Sequence, residues 1–161
     1  MLKASSPLDG FHIEIAGTSL SEITDLQITS AAARDVPQAW PEPGYSNDAS
    51  GSRIIRLAID QAFILGTFDP VFHGNAVTTD QSDSWAALRL RGPLARAALE
   101  RICMIDLHPA AFGQDRVART LMEHLNVIII CTNIDDYLLL SARSSAVSFL
   151  HAVETSLTNA G

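Results

Sequence analysis

Residues 79–112 read Thr-Asp-Gln-Ser-Asp-Ser-Trp-Ala-Ala-Leu-Arg-Leu-Arg-Gly-Pro-Leu-Ala-Arg-Ala-Ala-Leu-Glu-Arg-Ile-Cys-Met-Ile-Asp-Leu-His-Pro-Ala-Ala-Phe. Within this stretch Ala86, Leu88 and Leu90 alternate with Arg89 and Arg91. That period of two is a half-buried strand over Trp85–Arg91. Gly92-Pro93 follows, and proline suits a first helical turn because the N–H it lacks would be unbonded there anyway. Leu94, Ala98, Ile102 and Ile105 then recur at spacings of four, four and three, so they share one stripe of a helix. Asp106-Leu107-His108-Pro109 reads as the exit from that helix.

Toward the C-terminus, residues 117–123 fit a further strand. Residues 127–131 are an unbroken apolar run rich in isoleucine, the signature of a strand covered on both faces. Residues 133–136 turn the chain and residues 137–140 return antiparallel. Ser144 or Ser145 caps a last helix whose Val147, Leu150, Val153 and Leu157 form an apolar stripe. Toward the N-terminus the pattern is weaker. Residues 1–10 read as a flexible arm broken by Pro7 and Gly10, and residues 23–32 alternate as a strand. Residues 36–52 carry Pro37, Pro41, Pro43, Gly44 and Gly51 and read as a long loop. Residues 54–59 and 62–68 form a hairpin about Asp60-Gln61, and residues 70–77 allow only a brief helical turn.

The expected fold is α+β in a single domain over residues 1–161, with antiparallel or mixed sheets packed against helices. It divides into a first half, residues 11–79, and a second half, residues 80–158. The halves look like two degenerate ferredoxin-like units, the first with its helix replaced by the Pro/Gly-rich loop.

Composition narrows the function classes. The chain has 161 residues, 47% of them hydrophobic and only 18% charged, below the usual quarter or so for a soluble domain. An apolar, lightly charged exterior suits a subunit that docks on a partner and leads to self-association of the isolated chain. A net charge of -7 opposes nucleic-acid binding, which needs a clustered basic face. No apolar run is long enough for a membrane span, and the start lacks the charged-then-apolar pattern of a secretory signal. Cys103 and Cys131 sit in apolar segments, as reduced thiols of a cytoplasmic protein do.

Candidate chemistry is sparse. His12, His73, His108, His124 and His151 are scattered, and neither cysteine has a Cys-x-x-Cys partner, so no metal-ligand spacing emerges. No Gly-x-Ser-x-Gly elbow is present, and Gly92 stands outside any dinucleotide fingerprint. The one constellation to mark is Asp80, Gln81 and Asp83 before the Trp85–Arg91 strand, with Asp106 and His108 beyond the following helix. Carboxylates at such places hydrogen-bond nearby backbone N–H groups and fix turns, or serve as interface contacts. No catalytic or cofactor-binding residue is assigned.

The ordered motifs Thr79-Asp80-Gln81-Ser82-Asp83, Leu88-Arg89-Leu90-x-Gly92-Pro93 and Asp106-Leu107-His108-Pro109-x-x-Phe112 recur in one known family. With Tyr137, Arg143-Ser144 and Phe149-Leu150 they resemble the gamma subunits of heterotetrameric sarcosine oxidase, within the aminomethyltransferase (folate-binding-like) fold group. The resemblance spans residues 76–154, and the first half matches poorly. It implies a complex that oxidatively demethylates sarcosine to glycine, reduces oxygen to hydrogen peroxide and passes a one-carbon unit to tetrahydrofolate. It implies an alpha (large) subunit as docking partner, with beta and delta subunits alongside. FAD, FMN and NAD are then expected in the alpha and beta subunits, zinc in delta and tetrahydrofolate among the partner subunits, leaving a noncatalytic assembly role here. A gamma-like subunit of N-methylglutamate dehydrogenase and a stand-alone folate- or metabolite-binding module are the alternatives.

Overall fold

The computed structural model describes residues 5–161. In chain order the strands are β1 (His12–Ile15), β2 (Thr18–Glu22), β3 (Ile28–Ala32), β4 (Ser46–Ala49), β5 (Ser52–Arg56), β6 (Gln61–Gly66), β7 (Val77–Asp80) and β8 (Trp85–Arg91). Helix α1 (Ala95–Glu100) follows, then β9 (Val117–Met122), β10 (Leu125–Asn133), β11 (Asp136–Ala142) and helix α2 (Ala146–Ala160). Short 3-10 turns lie at Pro70–Phe72, Ser82–Ser84 and Arg143–Ser145. The fold is α+β, with every strand pairing antiparallel among the described residues.

Two sheets result, one six-stranded in the order β1-β2-β8-β11-β10-β9 and one five-stranded in the order β4-β5-β6-β3-β7. The run β8-β11-β10-β9 in the first has the same order as β3-β6-β5-β4 in the second. In each case a strand is followed by a covering segment and then a three-stranded meander that folds back onto it. The covering segment is α1 after β8 and residues 33–45 after β3. The strand flanking each repeat lies outside its meander: β2, ahead of the whole five-stranded sheet in the chain, pairs with β8, and β7, next after β6, pairs with β3. The order β8-β11-β10-β9 departs from a ferredoxin-like unit, in which the two strands flanking the helix sit one strand apart. Here β11 and β10 both lie between β8 and β9, because the meander closes on β8 from the far side.

Alternation along these strands builds three apolar layers. One face of the six-stranded sheet, with Leu88, Leu90, Val127, Ile129, Tyr137 and Leu139, packs under Ala98, Leu99, Phe149, Val153 and Leu157 of the helices. Its other face, with Ala87, Ile128, Ile130, Leu138 and Leu140, meets Ile28, Ile55, Phe63 and Leu65 of the five-stranded sheet. The outer face of that second sheet, with Ala31, Ile54, Ala62 and Ile64, is covered by Ala33 and Trp40. The Pro-rich segment therefore stands where a helix stands on the other side. It is packed rather than loose: the Trp40 indole Nε1–H donates to His73 Nδ1 at 3.1 Å, and His73 stacks on Phe68.

Several expectations are corrected by these contacts. Residues 12–22, to which the sequence reading assigns no element, form the β1–β2 hairpin, turning at Ala16-Gly17 with φ of 47 and 76, the left-handed pair of a type I′ turn. The loop expected over residues 36–52 contains β4, and the strand expected from residue 23 begins only at Ile28. The β5–β6 connection is longer than Asp60-Gln61, since Leu57 N–H and Ala58 N–H both donate to the Gln61 carbonyl. Helix α1 ends at Glu100, so Ile102 and Ile105 continue no helical stripe. Cys103 instead bridges to Met122, which draws the chain onto the edge of β9. Val147 on α2 is 70% exposed, and Phe149 takes the core position assigned to it. Glu123 and His124 form the β9–β10 turn rather than lying on a strand.

Of the expected arm, residues 1–4 lie outside the described residues. Glu22 gathers the remainder, accepting from Ser6 Oγ at 2.8 Å, Leu8 N–H at 3.2 Å and Gly10 N–H at 2.7 Å. Leu8 is buried in the helix-side core.

The β2–β8 crossing is tight at Gly92. Its φ is +134, and a Cβ there would lie 2.6 Å from the Gly17 carbonyl oxygen and from Thr18 Cα. Thr18, fully buried, accepts from Leu94 N–H at 2.9 Å and so satisfies a donor at the start of α1. Gly92→Ala combines backbone strain with a clash against main chain that cannot rotate away. It should destabilise the protein by about 3 kcal/mol, read from the denaturant midpoint of unfolding.

Candidate functional site

The marked residues fall into two separate turns. Asp80 closes β7, and its Oδ1 accepts from Ser82 N–H at 2.9 Å and Ser82 Oγ at 2.7 Å. Those two hydrogen bonds, backbone first, hold its carboxyl below the usual carboxylate range. Ser82 Oγ in turn accepts from Ile28 N–H at 2.9 Å, and Gln81 N–H donates to the Ile28 carbonyl at 2.8 Å. Residues 80–82 thus lock the β7–β8 connection onto the first residue of β3. Asp83 follows on the 3-10 turn, exposed, with no side-chain hydrogen bond among the described residues.

Asp106 and His108 belong to the long connection from α1 to β9. Asp106 Oδ1 accepts from His108 N–H at 2.9 Å, and His108 Nδ1 accepts from Ala110 N–H at 3.2 Å. The two buried neighbours, Leu107 and Phe112, anchor this connection in the helix-side core. No hydrogen bond or shared cleft joins Asp106 and His108 to the Asp80–Asp83 turn among the described residues.

Asp83 and Ser82 line a half-open cleft of about 280 Å³, together with Glu22, Asp25, Trp85 and Arg143. The cleft lies where the β2–β3 and β7–β8 connections pass one another. Arg143 donates to the Ser5 carbonyl at 2.6 Å, and the Trp85 indole N–H is buried without a partner. Its walls mix three carboxylates with one guanidinium, an arrangement without a base held against a nucleophile. Elsewhere, Cys103 and Cys131 have thiols pushed up chiefly by burial, and burial pushes the Tyr137 phenol up to about 12. No group of three or more His, Cys, Asp or Glu side chains is placed to hold a metal among the described residues.

Three polar clusters escaped the sequence reading. Arg89 and buried Asp136 form a two-pronged pair, Nε–Oδ1 at 2.9 Å and Nη2–Oδ2 at 2.6 Å, with Arg91 at 3.9 Å. Burial alone would raise the Asp136 carboxyl, but the Arg89 hydrogen bonds and the two guanidinium charges outweigh it and hold it low. Arg53 bridges Asp48 and Asp115, and Arg116 reaches the Tyr45 hydroxyl at 2.9 Å, both tying β4 to the start of β9. The third is Trp40–His73. Its signal was a polar histidine between Phe72 and Gly74 in an otherwise apolar turn.

His73 is 2% exposed, and burial lowers its pKa against the opposing charge of Asp69. The unfolded chain therefore binds a proton that the folded chain resists. Stability from this site is complete above about pH 6.5 and is lost as pH falls toward the lower folded value. The unfolding midpoint should drop more steeply from about pH 7 to about pH 5 in the native protein than in His73→Phe. That variant loses the Trp40 hydrogen bond and should be less stable at neutral pH. Parallel pH profiles for the two proteins would contradict the assignment.

No family model matches the chain. It is 25% identical over 111 residues to sarcosine oxidase subunit gamma of Corynebacterium sp. (strain U-96), a match covering 63% of this chain and 53% of that relative. The matched region thus spans about half the relative's length. The fold superposes with a TM-score of 0.82 on a chain of heterotetrameric sarcosine oxidase from Corynebacterium sp. U-96, solved in complex with pyrrole 2-carboxylate. That superposition covers 97% of this chain and 95% of the other at 18% identity, a likeness of fold. By sequence this chain is similar to a sarcosine oxidase gamma subunit, and by fold to a chain of the heterotetrameric enzyme, as its 79–112 motifs lead one to expect.

Proposed function

We propose that this chain is a noncatalytic, gamma-type subunit of a heterotetrameric sarcosine oxidase, docking on the large alpha subunit and stabilising the assembly. The observation that carries the reading is the near end-to-end fold match to a chain of that complex, joined to the sequence match to its gamma subunit. The surface is consistent with docking: Ile59, Val71, Val77, Met104, Ile134 and Val147 are all more than two-thirds exposed. In this reading the complex oxidatively demethylates sarcosine to glycine and transfers the one-carbon unit to tetrahydrofolate. The flavins, NAD and zinc belong to the partner subunits, and beta and delta complete the assembly.

The remaining finer expectations travel with this proposal. Two free cysteines favour a reducing, cytoplasmic setting. No helix among the described residues is long and apolar enough to cross a membrane. The aminomethyltransferase-like ancestry and the division near Asp80 into two degenerate halves are part of the same reading. The 280 Å³ cleft leaves room for a small metabolite, which is the one feature favouring a stand-alone binding module.

Co-expression with the other subunits of a heterotetrameric sarcosine oxidase tests the proposal. The chain should copurify with the large subunit at equal stoichiometry, and alone it should self-associate and show no demethylation of sarcosine. A monodisperse monomer that ignores the large subunit would contradict docking. Heat on titrating the lone chain with a reduced folate would favour the binding module instead.

A further inference from the structure

The two sheets match strand for strand except at one edge. In the six-stranded sheet β8 is flanked by β2, and β2 is covered in turn by β1. In the five-stranded sheet β3 is flanked by β7, and β7 is covered by nothing among the described residues. The place that β1 fills on one sheet is open on the other.

The open edge has its backbone groups presented. Gln81 N–H donates to the Ile28 carbonyl, and the β3–β7 register pairs Thr29 with Asp80, Ser30 with Thr79, Ala31 with Thr78 and Ala32 with Val77. Hydrogen-bonded pairs alternate along an antiparallel ladder, so Val77, Thr79 and Gln81 face β3 with their main chain. Thr78 and Asp80 therefore direct their N–H and C=O groups outward. All four residues of β7 are exposed, Val77 at 75%. Natural edges are usually blunted by lysine, proline or a bulge. This one has none of these, its charge is confined to Asp80 at the end of the strand, and Val77-Thr78-Thr79 are good strand formers. The other edges differ. Met104 N–H donates to the Leu121 carbonyl at the edge of β9, Ser46 N–H donates to the Asp115 carbonyl at the edge of β4, and β1 carries the ionisable His12 and Glu14.

We propose that the outer edge of β7 accepts an extended segment of the partner subunit, added antiparallel as a sixth strand in the position that β1 occupies on the other sheet. This inference rests on the docking function proposed above and names the surface that performs it. Main-chain hydrogen bonds to Thr78 and Asp80 supply the register, and side-chain matching supplies selectivity. The incoming strand carries an apolar side chain against Val77 and a basic one near Asp80 and Asp83. A second copy of this chain is disfavoured there because each copy carries a net charge of -7 and the edge ends in aspartates.

Amide hydrogen exchange, read residue by residue on the full chain alone and bound to the large subunit of a heterotetrameric sarcosine oxidase, tests the assignment. In the free chain the Thr78 and Asp80 amides should exchange rapidly and the Thr79 amide slowly. In the complex the first two should slow by at least about tenfold. A complex that forms while Thr78 and Asp80 keep exchanging freely overturns the β7 site and leaves the docking function standing. Failure to form any complex overturns both. Protection of the same amides that grows with concentration in the isolated chain places a second copy on the edge and also overturns the proposal. Thr78→Pro removes an outward N–H that β3 does not use. It should keep the native unfolding midpoint and lower recovery of the complex by about tenfold or more, whereas undiminished recovery by a folded variant counts against the site.

Discussion

The pairing of β2 with β8 is the constraint on which the rest of the structure depends. β2 precedes the consecutive strands β3–β7 of the five-stranded sheet yet pairs with β8 beyond them, so the six-stranded sheet is complete only with strands from both ends of the chain. The crossing is secured at both ends by polar contacts that only the native register provides. Thr18 reaches the start of α1, while Ser82 holds Ile28 and Asp80 holds Ser82. At the Thr18 end Gly92 lets two backbones approach more closely than any side chain would allow.

From that pairing follows a four-layered body of helices, sheet, sheet and irregular cover. The central layer between the sheets is drawn from both repeats, with Ile128, Ile130 and Leu140 on one side and Ile28, Ile55 and Phe63 on the other. Replacing a helix by the 33–45 segment thins the outer cover over the second sheet. The buried Trp40–His73 hydrogen bond offsets that thinning by anchoring the segment, together with the Arg56 guanidinium on the Pro41 carbonyl. The three apolar layers fill the interior, and the proposed function accordingly rests on surface recognition, with the unpaired edge of β7 as its focus.

Much of the second half was legible in the sequence because its signals are local. Alternation in Trp85–Arg91 and the isoleucine run around Ile129 state their own burial without reference to partners. The β1–β2 hairpin was hidden because its strands are short and half polar, and its turn signal is a modest Ala16-Gly17. On α2, Leu150, Val153 and Leu157 centre the buried face so that Phe149 falls within it and Val147 is turned roughly 100° away, a phase that the looser spacing of the apolar residues concealed. The early end of α1 depends on Cys103 meeting Met122, a long-range pairing that no periodicity encodes. The same holds for the marked carboxylates. Asp80 and Asp106 were visible as turn residues, but their separation in space follows from strand order rather than spacing.

If the β2–β8 pairing around the five-stranded sheet makes the chain one cooperative body, its two outer covers must be lost together. Equilibrium unfolding by denaturant can follow both at once, using the fluorescence of Trp40 in a Trp85→Phe background for the segment over the second sheet. Circular dichroism at the helical band reports α1 and α2 over the first. The account predicts a single transition with coincident midpoints and slopes. Two separated transitions, one for each sheet and its cover, would contradict it.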